Sequence, residues 1–299
     1  MQMNLPERVT MIEVGPRDGL QNEHHFIDTE IKKAFIQKLA DAGMKEMEIT
    51  SFVSPKWVPQ MQDAAEIVQS RPSGVRNIVL VPNRKGIEQA LETSCKSVAV
   101  FVGVSNSFNK KNINRSTLES MAELQPMIAE LKGKNFFVRA CISTSFYCPY
   151  EGKVSEADVL GLCQEFADVG VDELSVADTI GMATPFESFS LFSKLKERLP
   201  DMMIAAHFHD TRRLAMANIY AALQAGIDRF DASAGGLGGC PFAPGATGNV
   251  ATEDVVYMLE RMGIETCIDL EKIVEAIDVI APALSRKIET GYYQLAKNG

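Results

Sequence analysis

The chain has 299 residues, 46% of them hydrophobic, and a formal net charge of -9. That length and apolar share are enough to bury a large core, as two small domains or as one α/β barrel, and no break in composition marks a linker. The acidic balance excludes general affinity for nucleic acid, so an anionic partner needs a local basic pocket.

Taken in chain order, short β-rich apolar runs fall at 9–14, 46–52, 77–81, 97–104, 136–142, 173–176, 203–208 and 229–232. Longer stretches with helical spacing lie between them at 31–42, 60–69, 116–131, 156–169, 185–199 and 214–225. Three of these end in Ala42-Gly43, Val169-Gly170 and Ala225-Gly226, where glycine supplies a left-handed cap before the next strand. The alternation predicts an α/β fold: one (β/α)8 TIM barrel over about 8–250, with a helical extension over 251–299, forming one catalytic domain. A doubly wound open sheet is the alternative, but no G-x-G-x-x-G follows the first strand.

No apolar run of about 18 residues is present to span a membrane, and residues 1–8 lack the apolar core of a signal peptide. A soluble, cytoplasmic protein is expected. The six cysteines are scattered without C-x-x-C pairs, so free thiols are expected.

In a barrel of this kind the chemistry sits at the C-terminal ends of the strands. The polar residues gather there: Arg17 and Asp18 at the end of strand 1, Glu48 on strand 2, Asp178 and Thr179 at the end of strand 6, and His207, His209 and Asp210 on strand 7. The period of 2 along a strand puts His207 and His209 on one face, where both imidazoles can grip one cation. Two satisfied core histidines, or a salt-bridged polar layer closing the barrel, are the competing readings. Asp18 adds a hard carboxylate and Asn249 a neutral amide oxygen. Mixed nitrogen and oxygen donors without thiolate suit Mg²⁺, Mn²⁺ or Co²⁺ better than a closed zinc site. A cation so held acts as a Lewis acid toward a hydroxyl beside a polarised carbonyl, as carbon-carbon bond making or breaking next to a thioester or carboxylate requires.

Arg17 at a strand end is placed to meet charge developing on a carbonyl oxygen, or to form a structural ion pair with Glu48. Glu48 reads as a group that orients Arg17 or a ligand. Cys240, at the end of the glycine-rich stretch that begins at Gly235, reads as a thiol on a lid, acting as general acid or base, or else as an inert small residue. Lys110, Lys111 and Arg115 form the dense basic cluster after a strand, and Ser116 can cap the helix that follows. They suit the phosphates of a nucleotide-bearing substrate or a plain solvated face. His24 and His25 read as surface loop residues, and Phe208 as pointing outward from the barrel.

With these residues in view, the chain resembles the 3-hydroxy-3-methylglutaryl-CoA lyases, within the divalent-metal barrel superfamily of lyases and Claisen-type condensing enzymes. The likeness covers nearly the whole chain. It is carried by Glu13 to Glu23, Thr50 to Met61, Cys148 to Lys153, the His-x-His-Asp-Thr motif from His207, and the loop Gly235 to Pro241. It implies cleavage of a 3-hydroxy-3-methyl acyl-CoA thioester into acetyl-CoA and acetoacetate. It also implies Mg²⁺ or Mn²⁺ on Asp18, His207, His209 and Asn249, Arg17 stabilising the enolate, and Cys240 moving a proton. The candidate substrate-binding residues are Arg17, Glu48, Ser51, Lys110, Lys111, Asp178 and Thr179. A homodimer is implied as well.

Three departures bear on the substrate. After His-x-His-Asp-Thr the family usually continues Tyr-Gly-Gln, whereas this chain has Arg212, Arg213 and Leu214. Asn106 stands where an acidic residue is usual, and the strand from Arg139 lacks the usual Gly-Tyr start. A related, citramalyl-like CoA thioester therefore stays open as substrate. A condensing acyltransferase of the isopropylmalate synthase type is the second alternative, and a non-catalytic metal-binding protein the third.

Overall fold

In a computed structural model the described residues are 5–239 and 248–298. Eight of the strands along them build the barrel: β1 (Thr10–Glu13), β2 (Glu46–Ser51), β3 (Arg76–Leu80), β4 (Ser97–Gly103), β5 (Phe137–Ser143), β6 (Glu173–Asp178), β7 (Met203–Phe208) and β8 (Arg229–Ala232). They close into a parallel barrel in the order β1-β8-β7-β6-β5-β4-β3-β2. The expected (β/α)8 TIM barrel is thus the fold, and further helices follow it. No helix among the described residues is long and apolar enough to cross a membrane.

By internal packing the described residues divide into two compact units, 7–95 with 231–239 and 248–298, and 96–230 with 5–6. The described part of the first holds β1 to β3, helices α1 (Thr29–Asp41), α2 (Ala64–Gln69) and α3 (Arg84–Leu91), and the extension α9 (Thr252–Arg261), α10 (Leu270–Ile280) and α11 (Gly291–Asn298). Here β1 pairs with β2 through Ile12 and Glu46, and β2 with β3 through Glu46 and Arg76. The described part of the second holds β4 to β7 with α4 (Asn106–Ile113), α5 (Thr117–Gly133), α6 (Glu156–Val169), α7 (Pro185–Arg198) and α8 (Ala215–Gln224).

Local chemistry explains the boundaries. Ser116 caps α5 and Thr184 caps α7, each in a reciprocal capping box with the glutamate three residues on. Gly43, Gly170 and Gly226 take positive φ at the three expected helix ends. The stretch 60–69, expected as one helix, is a 3-10 turn Pro59–Met61 followed by α2. Strand β6 runs two residues beyond the expected 173–176, and Asp178 at its end is fully buried. The second unit also builds an ion network at the opposite end of its strands: Arg139 and Arg229 flank the buried Glu173, with Arg229 Nε donating to its Oε1 at 2.9 Å. This network lies at the N-terminal strand ends, away from the polar residues for which the sequence allowed a salt-bridged layer.

Candidate active site

In the first unit, β1 ends in a single wide turn, Gly15–Gly19, that carries Arg17 and Asp18. Small residues are required there, since a Cβ on Gly15 would lie 2.6 Å from the Glu13 carboxylate and one on Gly19 2.8 Å from Leu237. Arg17 is buried and forms the ion pair with Glu48 that was one of its two expected roles. Its Nε donates to Glu48 Oε2 at 2.7 Å and Nη2 to the same oxygen at 2.5 Å, while Nη1 donates to Asp18 Oδ1 at 2.7 Å. Glu48, 1% exposed on β2, therefore fixes the plane of the guanidinium. Asp18 also accepts from Gln21 Nε2 at 2.8 Å and from Asn249 Nδ2 at 2.8 Å. Because the Asn249 nitrogen is spent on Asp18 and on Leu237 O, its Oδ1 is the end suited to a cation.

The second unit presents the histidines. Their rings stand 5.2 Å apart on one face of the chain leaving β7, as the period of 2 requires. Phe208 turns the other way and packs on Phe146 and Phe192, centroids 6.3 and 6.1 Å away. Asp178 at the end of β6 is fully buried, and its two oxygens accept from Met182 N at 3.0 Å and Ala183 N at 2.9 Å. Burial pushes its carboxyl up to about 6 despite those bonds. The backbone turn it braces includes Gly181, whose positive φ brings it against His209 O and Thr211 N. Thr179 Oγ1 accepts from Thr144 N at 2.7 Å.

The remaining candidates spread out. Ser51 is buried and donates to Leu80 O at 3.1 Å. Lys110 and Lys111 lie exposed on α4, a helix the sequence pattern did not reveal because its eight residues carry little apolar periodicity. The Lys111 ammonium stands 3.8 Å from the centre of the Tyr150 ring. Cys240 lies outside the described residues. His24 and His25 are exposed, as expected. The departures also have places: Arg212 donates to Ile180 O at 2.7 Å, and Arg213 sits at φ 59, a left-handed position that suits the family's glycine. Asn106 Oδ1 accepts from Thr117 N at 2.9 Å, tying α4 to α5.

Two buried carboxylates escaped the sequence reading. Glu13 accepts from Gly15 N at 2.7 Å, Ala234 N at 3.0 Å and Thr252 Oγ1 at 2.7 Å, and Glu253 accepts from Gly235 N at 3.0 Å and from Thr290. Burial raises both to about 7. Their signal was an acidic residue inside an apolar strand and another in the first turn of a helix, and neither pattern is specific.

The HMGL-like family profile matches residues 8–280. The chain belongs to the HMGL-like family. Among its curated HMGL-like relatives, hydroxymethylglutaryl-CoA lyase YngG of Bacillus subtilis is 46% identical over 99% of this chain and 100% of its own length. The mitochondrial hydroxymethylglutaryl-CoA lyase of Homo sapiens is 46% identical over 95% of this chain and 88% of its own. The crystal structure of the B. subtilis HMG-CoA lyase superposes with a TM-score of 0.96, covering 99% of this chain and 100% of that one. An HMG-CoA lyase from A. baumannii, solved in complex with coenzyme A and 3-methylmalate, is 36% identical, covers 98% of this chain and 95% of its own, and has a TM-score of 0.91.

Proposed function

We propose that the protein is a carbon-carbon lyase that cleaves 3-hydroxy-3-methylglutaryl-CoA into acetyl-CoA and acetoacetate, using Mg²⁺ or Mn²⁺ held by Asp18, His207, His209 and Asn249. The donor set carries this reading: one carboxylate and two imidazoles able to offer a ligand atom each, beside an amide oxygen oriented by its own N–H bonds. Such a set, with no thiolate, fits a hard or borderline divalent ion that keeps positions for a chelating substrate. When bound, the cation supplies Lewis acidity toward the substrate's hydroxyl and carbonyl oxygens.

The chain's own residues do the rest. Removal of the hydroxyl proton lets the C2–C3 bond break, so that C3 becomes the ketone of acetoacetate and the bonding pair moves to C2 as a thioester enolate. Arg17, its plane fixed by Glu48, faces the charge on the enolate oxygen. Cys240 delivers or removes one proton, completing acetyl-CoA. Lys110 and Lys111 meet the phosphates of coenzyme A, while Ser51, Asp178 and Thr179 shape the acyl pocket. The complex of the A. baumannii relative with coenzyme A and 3-methylmalate supports an acyl-CoA substrate. A homodimer and a cytoplasmic location accompany this assignment.

Arg212 and Arg213 favour a second reading for the acyl group. Both are exposed at the β7 end where the family's Tyr-Gly is replaced, so a citramalyl-like thioester is the alternative substrate. A panel of tertiary 3-hydroxy acyl-CoA thioesters assayed with Mg²⁺ and with Mn²⁺ separates the two. Preference for the glutaryl compound supports the first reading. Turnover confined to another thioester overturns the substrate and keeps the reaction class.

A further inference from the structure

The segment that leads to Cys240 is held by side chains from the C-terminal extension, which the reaction above does not use. Arg286, between α10 and α11, donates from Nη2 to Gly236 O at 2.7 Å. The next carbonyl, Leu237 O, accepts from Asn249 Nδ2 at 3.1 Å, and that same nitrogen donates to Asp18 Oδ2 at 2.8 Å. The chain of contacts is continuous from the extension to two candidate ligands of the cation.

The packing around it leaves little slack. Gly235 and Gly236 both take positive φ, and a Cβ on either would lie 3.1 Å from Ile288 or Thr290. A Cβ on Gly248 would lie 2.5 Å from Gly238 O, and one on Gly238 would lie 2.8 Å from Asn249 Nδ2. The glycines therefore sit with their backbone directly against residues 286–290 on one side and 248–249 on the other. Shifting Gly236 moves Leu237 O, and the Asn249 amide turns with it.

We infer that Arg286 is a positioning residue for the cation site, acting through Gly236, Leu237 and the Asn249 amide. The inference rests on the metal reading given above and extends it to a part of the chain outside the barrel. Partners that orient a ligand from behind typically change metal affinity by about 10- to 100-fold when removed. Arg286→Met is therefore expected to weaken Mn²⁺ binding about tenfold. Arg286→Lys, which keeps one donor, is expected to recover part of that affinity. Lys297→Ala breaks an ion pair with Asp278 in the same extension without reaching Gly236, and is expected to bind Mn²⁺ like the parent protein.

The test is the Mn²⁺ dissociation constant of the full chain, from the electron paramagnetic resonance signal of unbound Mn²⁺, with the melting temperature of each metal-free variant beside it. Weakened binding in Arg286→Met at a near-parental melting temperature, partly restored in Arg286→Lys, supports the inference. Unchanged affinity in both Arg286 variants overturns it, as does an equal loss in Lys297→Ala. If Arg286→Met does not fold, Arg286→Lys decides by the same criterion. Parent protein that binds Mn²⁺ but cleaves no thioester overturns the proposed reaction and leaves this inference to the affinities; parent protein that binds no Mn²⁺ overturns both.

Discussion

Replacing Arg17 by Gln separates two effects that the structure ties together. Arg17 gives Glu48 two N–H bonds to one oxygen in a site where Glu48 is 1% exposed. Taking the cation away from such a buried pair costs about 3 to 5 kcal/mol of stability, chiefly as the desolvation of the carboxylate left behind. With an unfolding entropy of about 2.1 cal/mol/K per residue, a chain of 299 residues then melts roughly 5 to 8 °C lower. Separately, loss of the donor facing the enolate raises the barrier by about 3 to 4 kcal/mol, a 10²- to 10³-fold fall in kcat. Arg17→Gln combined with Glu48→Gln removes the stranded charge, so most of the melting temperature returns while activity does not. Thermal melts and acetyl-CoA release for the parent, both single variants and the double variant complete the cycle. Full activity in Arg17→Gln refutes the enolate role. Activity regained in the double variant would show that Arg17 matters only as the partner of Glu48.

Two further outcomes follow. Cys240→Ala is expected to slow cleavage while leaving the Mn²⁺ dissociation constant unchanged; loss of metal would instead make the thiol a ligand. Glu13 and Glu253, raised by burial to about 7, titrate higher folded than unfolded, so their stabilisation is full at low pH and is lost as pH rises through about 7. The unfolding free energy from urea melts is therefore expected to fall between about pH 4.5 and pH 7.5, by up to roughly 3 kcal/mol per carboxyl, and to fall less in Glu253→Gln. An unfolding free energy that holds or rises over that range contradicts the upward shift given to the pair.

The barrel was legible because strand and helix periods alternate and because glycines mark the helix ends at Gly43, Gly170 and Gly226. The helices that escaped, α3 and α4, are eight residues each and lie in stretches where polar residues dominate. The apolar run before Asp178 was drawn two residues short of the strand for a related reason: a charge reads as a boundary until backbone N–H groups are seen to hold it inside. In the candidate site, residue types and spacing were enough to single out Arg17, Asp18, Glu48, His207 and His209. The role of Glu13 depends on contacts with segments more than 200 residues away, and those of Glu253 and Arg286 rest on contacts with backbone groups that any residue supplies, so no local pattern records them.

The most direct measurement incubates the purified protein with 3-hydroxy-3-methylglutaryl-CoA, first after chelation of divalent metal and then with Mg²⁺ or Mn²⁺ restored, and quantifies both products. Equal amounts of acetyl-CoA and acetoacetate, formed only in the presence of the cation, are the expected result. Cleavage that persists unchanged in the chelated protein, or none of this thioester with either metal, would contradict the account.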